Sequence, residues 1–310
     1  MTTVEAAPVV AKSSRAIAWR RRRTSTVRFC RTYATHRSGM FGVGILVFFI
    51  AVAITAPLVF PAYLLDPNEN LQNSQLCEPT SSFYYWLGCD DLGRSVMAEL
   101  AWGARPSLMV GILASVVAMV IGTLVGIASG HFRNFLGSAM ERLTDWFLVL
   151  PFVPLVIVLQ AVLGQTALWV TVVVLGITSW PGTSRLVRAQ TLSVEARPYI
   201  ERAKVLGNSD WAQMVHHVLP NVMPLVIANT TLTVAIVILS MTTLGFLGLI
   251  DPSTISWGTM LDSADEAGAA LQGAWWFLIP PGLCVIAVVL AFTLMGRTLE
   301  TVLNPRLGSN

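Results

Sequence analysis

What this chain is short of narrows its function before any motif is considered. Only 12% of its 310 residues are charged, about half the share of an ordinary soluble domain. It has two lysines, Lys12 and Lys204, and each follows an alanine, so the G-x-x-x-x-G-K loop that cradles nucleotide phosphates cannot occur in it. The four histidines, His36, His131, His216 and His217, form no H-E-x-x-H, and the four cysteines form no C-x-x-C. The common spacings of catalytic zinc and dithiol centres are therefore missing, and neither a metal nor a cofactor is expected. No Asp, Glu, Lys or Arg falls near the middle of an apolar run, Asp145 and Arg185 coming closest. Proton- and sodium-coupled carriers generally place an ionisable group or a broken helix there, and a membrane-embedded enzyme would need a nucleophile or an acid pair. Both classes are disfavoured, no catalytic residue is assigned, and energy for any transport must come from another subunit.

What the chain has instead is apolar length. Hydrophobic residues make up 54% and the mean hydropathy is +0.65, which describes an all-α, polytopic membrane protein. Six runs approach the roughly 20 residues that cross a hydrocarbon core of about 30 Å, near 41–60, 107–130, 143–163, 168–186, 224–249 and 275–296. Lys and Arg resist translocation in short segments, so their positions set the orientation. Placed alternately, eighteen fall on one side, nine of them in the tail before the first span, and only Arg94 and Arg105 on the other. Six spans with both termini cytoplasmic satisfy that division; five would not.

The tail, residues 1–36, is too long to be an ordinary signal peptide, so the first span is expected to remain as a helix. Its Trp19–Arg23 cluster reads as a topology signal against anionic headgroups. A short surface helix is expected over 26–35, with Val27, Phe29, Cys30 and Tyr33 toward lipid and Arg28 and Arg31 reaching back to water. Residues 37–310 form the membrane domain, with an outer segment at 61–106 and a cytoplasmic loop at 187–222.

That loop carries the strongest signal. Pro198 suits a first helical turn, Tyr199, Ala203 and Leu206 recur on one face, and Gly207 can take the left-handed conformation that ends a helix. Asn208, Ser209 and Asp210 are candidate caps for a second helix running to Pro220, with Gln213 completing a capping box with Asp210. Helix, glycine turn, helix makes a compact knob able to enter a groove on a partner; an ordinary amphipathic surface loop is the competing reading.

Tyr199-Ile-Glu-Arg-Ala-Lys-Val-Leu-Gly207 resembles the E-A-A-x-x-x-G motif of bacterial ABC importer permeases, with Glu201, Ala203 and Gly207 in matching places and Leu219-Pro220 closing the pattern. The stretch 176–190, Leu87-Gly-Cys-Asp-Asp-Leu-Gly-Arg94, Trp102-Gly-Ala-Arg-Pro-Ser-Leu108, Gly245-Phe-Leu-Gly248, Trp257-Gly-Thr-Met-Leu261 and Asn304-Pro-Arg-Leu307 resemble the dipeptide, oligopeptide and nickel branch in order along the chain. Within it they resemble the C-type member of the permease pair. Three positions depart: Arg202 replaces the small residue usual after the motif Glu, Cys89 stands where Thr is usual, and Arg297 and Glu300 occupy places commonly Asp and Arg, where they could still pair at i,i+3.

The resemblance implies a type I importer permease in the bacterial inner membrane, importing di- or oligopeptides, or alternatively nickel or another small solute. Its partners would be a second permease, two ATPase subunits that bind the ATP, an extracytoplasmic substrate-binding protein and the lipid bilayer, with no nucleic acid. The loop, Arg202 included, would dock in an ATPase groove. An autonomous channel or secondary carrier would leave that loop unexplained. Thr231, Ser240 and Thr243, with Thr230, Thr233 and Thr242, make the fifth span rich in hydroxyls, which would suit a pathway lining or, equally, helix packing. Gly111, Gly122 and Gly126 read as close-packing contacts, and Trp275 and Trp276 as interface anchors. Cys77 and Cys89 share the outer segment, where an oxidising compartment would join them; a loop that keeps them apart would leave two thiols.

Overall fold

The computed structural model describes residues 27–70, 75–163 and 167–303. The cationic tail up to residue 26 and the 304–307 motif lie outside them. The described residues form an all-helical bundle with only a lone backbone bridge between Cys89 and Ser95. A short helix at 27–34 precedes it, with Phe29 and Tyr33 half-buried and Val27 and Cys30 exposed.

Five helices are long and apolar enough to cross a membrane: α1 (Arg37–Val59), α2 (Val96–His131), α5 (Leu168–Glu195), α7 (Asp210–Phe246) and α9 (Trp275–Leu303). The expected third span is not one helix but two, α3 (Phe135–Val149) and α4 (Phe152–Leu163), bent by 92°. The break falls at Leu150, whose ψ of 131° is extended. That is the conformation forced on a residue preceding proline, here Pro151. Counting the bent pair as one crossing gives six. Of the two features expected of autonomous carriers, the chain thus has the broken helix but not the ionisable group.

Two boundaries move. The second helix begins at Val96, not 107, because Ser95 caps it by accepting from the Ala98 amide and Glu99 in its first turn favours the positive helix end. At 36 residues it is about 54 Å long, longer than a crossing needs, so 96–106 belong to the helix and the outer segment proper is 61–95. At the other side α5 runs on to Glu195 and α7 starts at Asp210, leaving the connecting loop far shorter than 187–222.

The central contact is α2 on α5, made by a glycine row. A Cβ on Gly122 would lie 2.7 Å from Thr183 Cβ, one on Gly126 2.7 Å from the Ser184 carbonyl, and one on Gly130 2.8 Å from Thr191 Cβ. Without a hydrophobic drive between helices in lipid, such backbone approach supplies the dispersion contact that holds them. Helix α9 packs on both α1 and α7, with Gly42 against the Ala291 carbonyl and Gly296 against Thr231.

The outer segment is pinned by indoles. Trp102 donates to Phe60 O at 3.0 Å and Trp276 to Cys89 O at 3.3 Å. Trp276 is only 7% exposed, so of the two expected interface anchors it instead clamps the outer segment, and Trp275 alone is exposed. A short helix α8 (Trp257–Glu266) buries Trp257 completely; its indole donates to Leu100 O at 3.1 Å and its ring meets Phe49 edge-on at 5.3 Å.

Candidate functional site

The connection between α5 and α7 begins with α6 (Pro198–Val205), which has Pro198 in its first turn. It ends in a glycine cap: Gly207 has φ +83°, Asn208 N donates to Ala203 O at 3.1 Å, and Gly207 N donates to Lys204 O at 3.0 Å. This is the paired bonding of a Schellman motif, and the backbone there favours glycine. The buried face of α6 is Ile200 and Ala203, not the expected Tyr199, Ala203 and Leu206; Tyr199 and Leu206 are exposed. The face is set by the apolar cluster of Val187, Val194, Val218 and Val222 beneath it.

The second helix differs from expectation in two ways. Its cap is Ser209, whose Oγ accepts from the Ala212 amide, while Gln213 donates to Asn208 O at 2.7 Å rather than boxing with Asp210. Nor does it stop at Pro220. It passes through a π turn, Met214–Val218, where Leu219 N donates five residues back to Met214 O, and becomes α7 without interruption. Pro220 cannot donate and its ring would strike the carbonyl four residues before it; a widened turn just ahead accommodates both. Leu219 is half-buried and Pro220 exposed at this junction.

The tip is apolar although it stands clear of the bundle: Val205 and Leu206 are each 83% exposed and Trp211 70%. Glu201 and Arg202 are exposed beside it. Sequence reading singles out neither Val205 nor Trp211, whose signal is an apolar pair and an indole flanking a glycine turn.

The base of the loop is fixed by polar side-chain contacts. His131, ending α2, is nearly buried, with Nδ1 2.6 Å from Glu195 Oε1 and Nε2 3.4 Å from Asp210 Oδ1. Lys204 reaches Glu195 Oε2 at 3.0 Å. On the opposite flank Asn221 donates to Tyr199 Oη at 3.3 Å and to His217 O at 2.7 Å. Two further bridges, Arg185 to Asp145 at 2.8 Å and Arg188 to Glu141 at 2.7 Å, tie α5 to α3. The loop is thus tied to the ends of α2, α5 and α7.

Residues 122–309 match the family model of the binding-protein-dependent transport system inner membrane component. The chain belongs to this family. It is similar to the di/tripeptide transport system permease protein DppC of Pseudomonas aeruginosa, 34% identical over 90% of this chain and 91% of that protein. It is likewise similar to the dipeptide transport system permease protein DppC of Bacillus subtilis, 32% identical over 89% and 84%. The glutathione transport system permease protein GsiD of Pectobacterium atrosepticum is 32% identical over 91% and 90%.

The hydroxyls of this permease's α7 mostly turn back on their own helix. Thr231 donates to Ala228 O at 2.7 Å and lies against Gly296, Ser240 donates to Ile236 O at 2.9 Å, and Thr243 donates to Leu239 O at 3.0 Å. Thr231 therefore serves the contact with α9, while Ser240 and Thr243 lie half-buried on one stripe with the exposed Ile236 and Leu239.

In the outer segment Cys77 and Cys89 are joined, with Cα atoms 4.8 Å apart. Gly88 beside them has φ +69°, and a Cβ there would lie 2.4 Å from Cys77 O. The Asp90–Arg94 motif is a staple. Asp90 Oδ1 accepts from the amides of Leu92 and Arg94, and the Arg94 guanidinium bridges Asp90 at 2.6 Å and Glu99 at 2.9 Å. Burial raises the Asp90 carboxyl above its ordinary range, against the pull of Arg94. Among the described residues Arg297 and Glu300 form no ion pair, and no group of His, Cys, Asp or Glu could hold a metal.

Proposed function

We propose that this chain is the C-type permease of an ATP-driven peptide importer, supplying half of the translocation pathway and no catalysis of its own. The observation that carries the proposal is the exposed apolar tip Val205–Leu206–Trp211 on a loop tied by polar side-chain contacts to three spanning helices. An apolar knob held rigidly in water has the character of a docking surface. The peptide substrate is supported by the printed names of the relatives, which are permeases for dipeptides, di/tripeptides and glutathione. The division of cations supports cytoplasmic termini, and with them a cytoplasmic loop.

Two ATPase subunits would close on ATP and carry the tips of this loop and of its counterpart on a second permease. Because Lys204 and Asp210 are linked through Glu195 and His131 to the ends of α5 and α2, displacement of the tip moves all three helices together. ATP then biases a two-state bundle between inward- and outward-facing forms, and a receptor outside delivers peptide to the outward-facing one.

Proteoliposomes test this. Uptake of labelled dipeptide is expected only when this chain is reconstituted with its second permease, the ATPases, the receptor and ATP. Uptake by this chain alone would establish a channel instead.

A further inference from the structure

Beneath the 92° break between α3 and α4, midway along the bundle, is a cavity of about 350 Å³. Its polar wall is Ser179 and Thr183 of α5 with Asn229 and Thr233 of α7, and Phe147 and Phe152 flank the break. No charged side chain lines it.

Hydrogen-bonding capacity is left open there. The Asn229 amide donates to Thr183 Oγ1 at 3.2 Å, and Thr183 is itself held near Met119 Sδ at 3.3 Å. The Thr233 hydroxyl donates to the Asn229 main-chain carbonyl at 3.0 Å, whereas the side-chain Oδ1 of Asn229 accepts no hydrogen bond from the described residues; Ser179 Oγ is buried without a partner. Pro181 in the same wall carries no N–H, so α5 also forgoes the bond its amide would make to the carbonyl of Ile177. Gly182 opens outward, and a Cβ added to it would meet nothing within 4 Å. The half-buried Asn229 keeps its unpaired amide oxygen on the cavity wall, and such a group is not stable against lipid, so the surface faces water or a polar ligand.

The geometry points to Asn229, positioned by Thr183 and Thr233, as this subunit's half of a mid-membrane subsite for the peptide main chain. The inference rests on the peptide reading above and adds where and how the substrate is held. The neutral Asn229 side chain offers both an acceptor and a donor, as a peptide group requires, while the Thr183 and Thr233 hydroxyls, already donating to Met119 Sδ and Asn229 O, position it. This half of the site offers no counter-charge to a charged terminus, and the backbone is what peptides of different sequence share. The expected Thr231 lies against α9 instead, so the subsite lies one face over from it.

The test uses the assembled complex with Cys30 and Cys284 replaced by serine and the Cys77–Cys89 bond retained. Gly182→Cys should react with a charged methanethiosulfonate reagent, and transported peptide should slow that reaction at least threefold. Ile286→Cys, on the exposed face of α9, should stay unreactive. Separately, uptake of a dipeptide and of its backbone N-methylated analogue is compared at receptor saturation. The preference for the parent should fall about tenfold in Asn229→Leu and return in Asn229→Gln. If the wild type imports peptide while Gly182→Cys is inert, or Asn229→Leu keeps the preference, the subsite is wrong and the peptide reading survives. If the wild type with its receptor imports no peptide, the peptide reading falls and takes the subsite with it.

Discussion

The imidazole Nδ1 of His131, the last residue of α2, lies 2.6 Å from the carboxylate of Glu195, the last residue of α5. Both side chains are nearly buried, and the second ring nitrogen faces Asp210 at the start of α7. One ring therefore connects three helices to the loop that joins two of them.

His131→Leu is expected to uncouple the complex. A hydrogen bond to a charged group is worth about 1.5–3 kcal/mol, and Lys204 would still pair with Glu195, so the chain should reach normal abundance. Peptide transport should fall at least tenfold while basal ATP hydrolysis persists. Equal loss of transport and of complex recovered from the membrane would instead mean a purely structural role.

Arg94→Ala leaves Asp90 and Glu99 buried without their counter-charge, an arrangement that costs about 3–5 kcal/mol. Lower abundance and a lower melting temperature in detergent are expected. The Asp90 carboxyl already sits above its ordinary range because of burial, and removing Arg94 raises it further. A carboxyl whose folded pKa exceeds its unfolded value destabilises above that range and ceases to do so once protonated. The deficit should therefore shrink as pH falls from 7.5 to 5, measured by differential scanning fluorimetry; a deficit independent of pH would contradict the assignment.

The double variant Cys77→Ser, Cys89→Ser opens a loop of sequence separation 12, which in the chain-entropy picture removes roughly 2–3 kcal/mol. Non-reduced peptide mapping of the wild type should recover the linked pair, and the variant should melt lower without altered ATPase docking. Two free thiols in protein extracted under alkylating conditions would refute the bond.

Much of this was legible because lipid imposes simple rules. Apolar length gives the crossings, and the glycine turn at Gly207 gives the shape of the loop. What escaped depends on tertiary partners. Glu99 interrupts hydropathy and reads as loop, yet it belongs to a helix once Arg94 neutralises it. The break at Pro151 was signalled by a proline in mid-run, which a hydropathy average conceals. Ile200 rather than Tyr199 faces inward because of valines on α5 and α7, and no local pattern reports them. Asn229 stands beside a run of hydroxyls and is invisible to any count of charged residues.

The most discriminating variant is Gly207→Val. At φ +83° a β-branched residue is strained by about 1–2 kcal/mol, and the open space around Gly207 means that strain, not collision, is the perturbation. The chain relieves it by abandoning the Schellman bonds from Asn208 and Gly207, which redirects Val205, Leu206 and Trp211. The Gly122 and Gly126 contacts between α2 and α5 and the outer staple do not involve this turn, so insertion and abundance should be unchanged. Docking should fail, with the ATPase lost from the purified complex and peptide uptake abolished. Gly207→Asn, which tolerates left-handed backbone better, should retain part of both. If Gly207→Val binds the ATPase and transports at the wild-type rate, the tip is not the docking element, whatever its exposure.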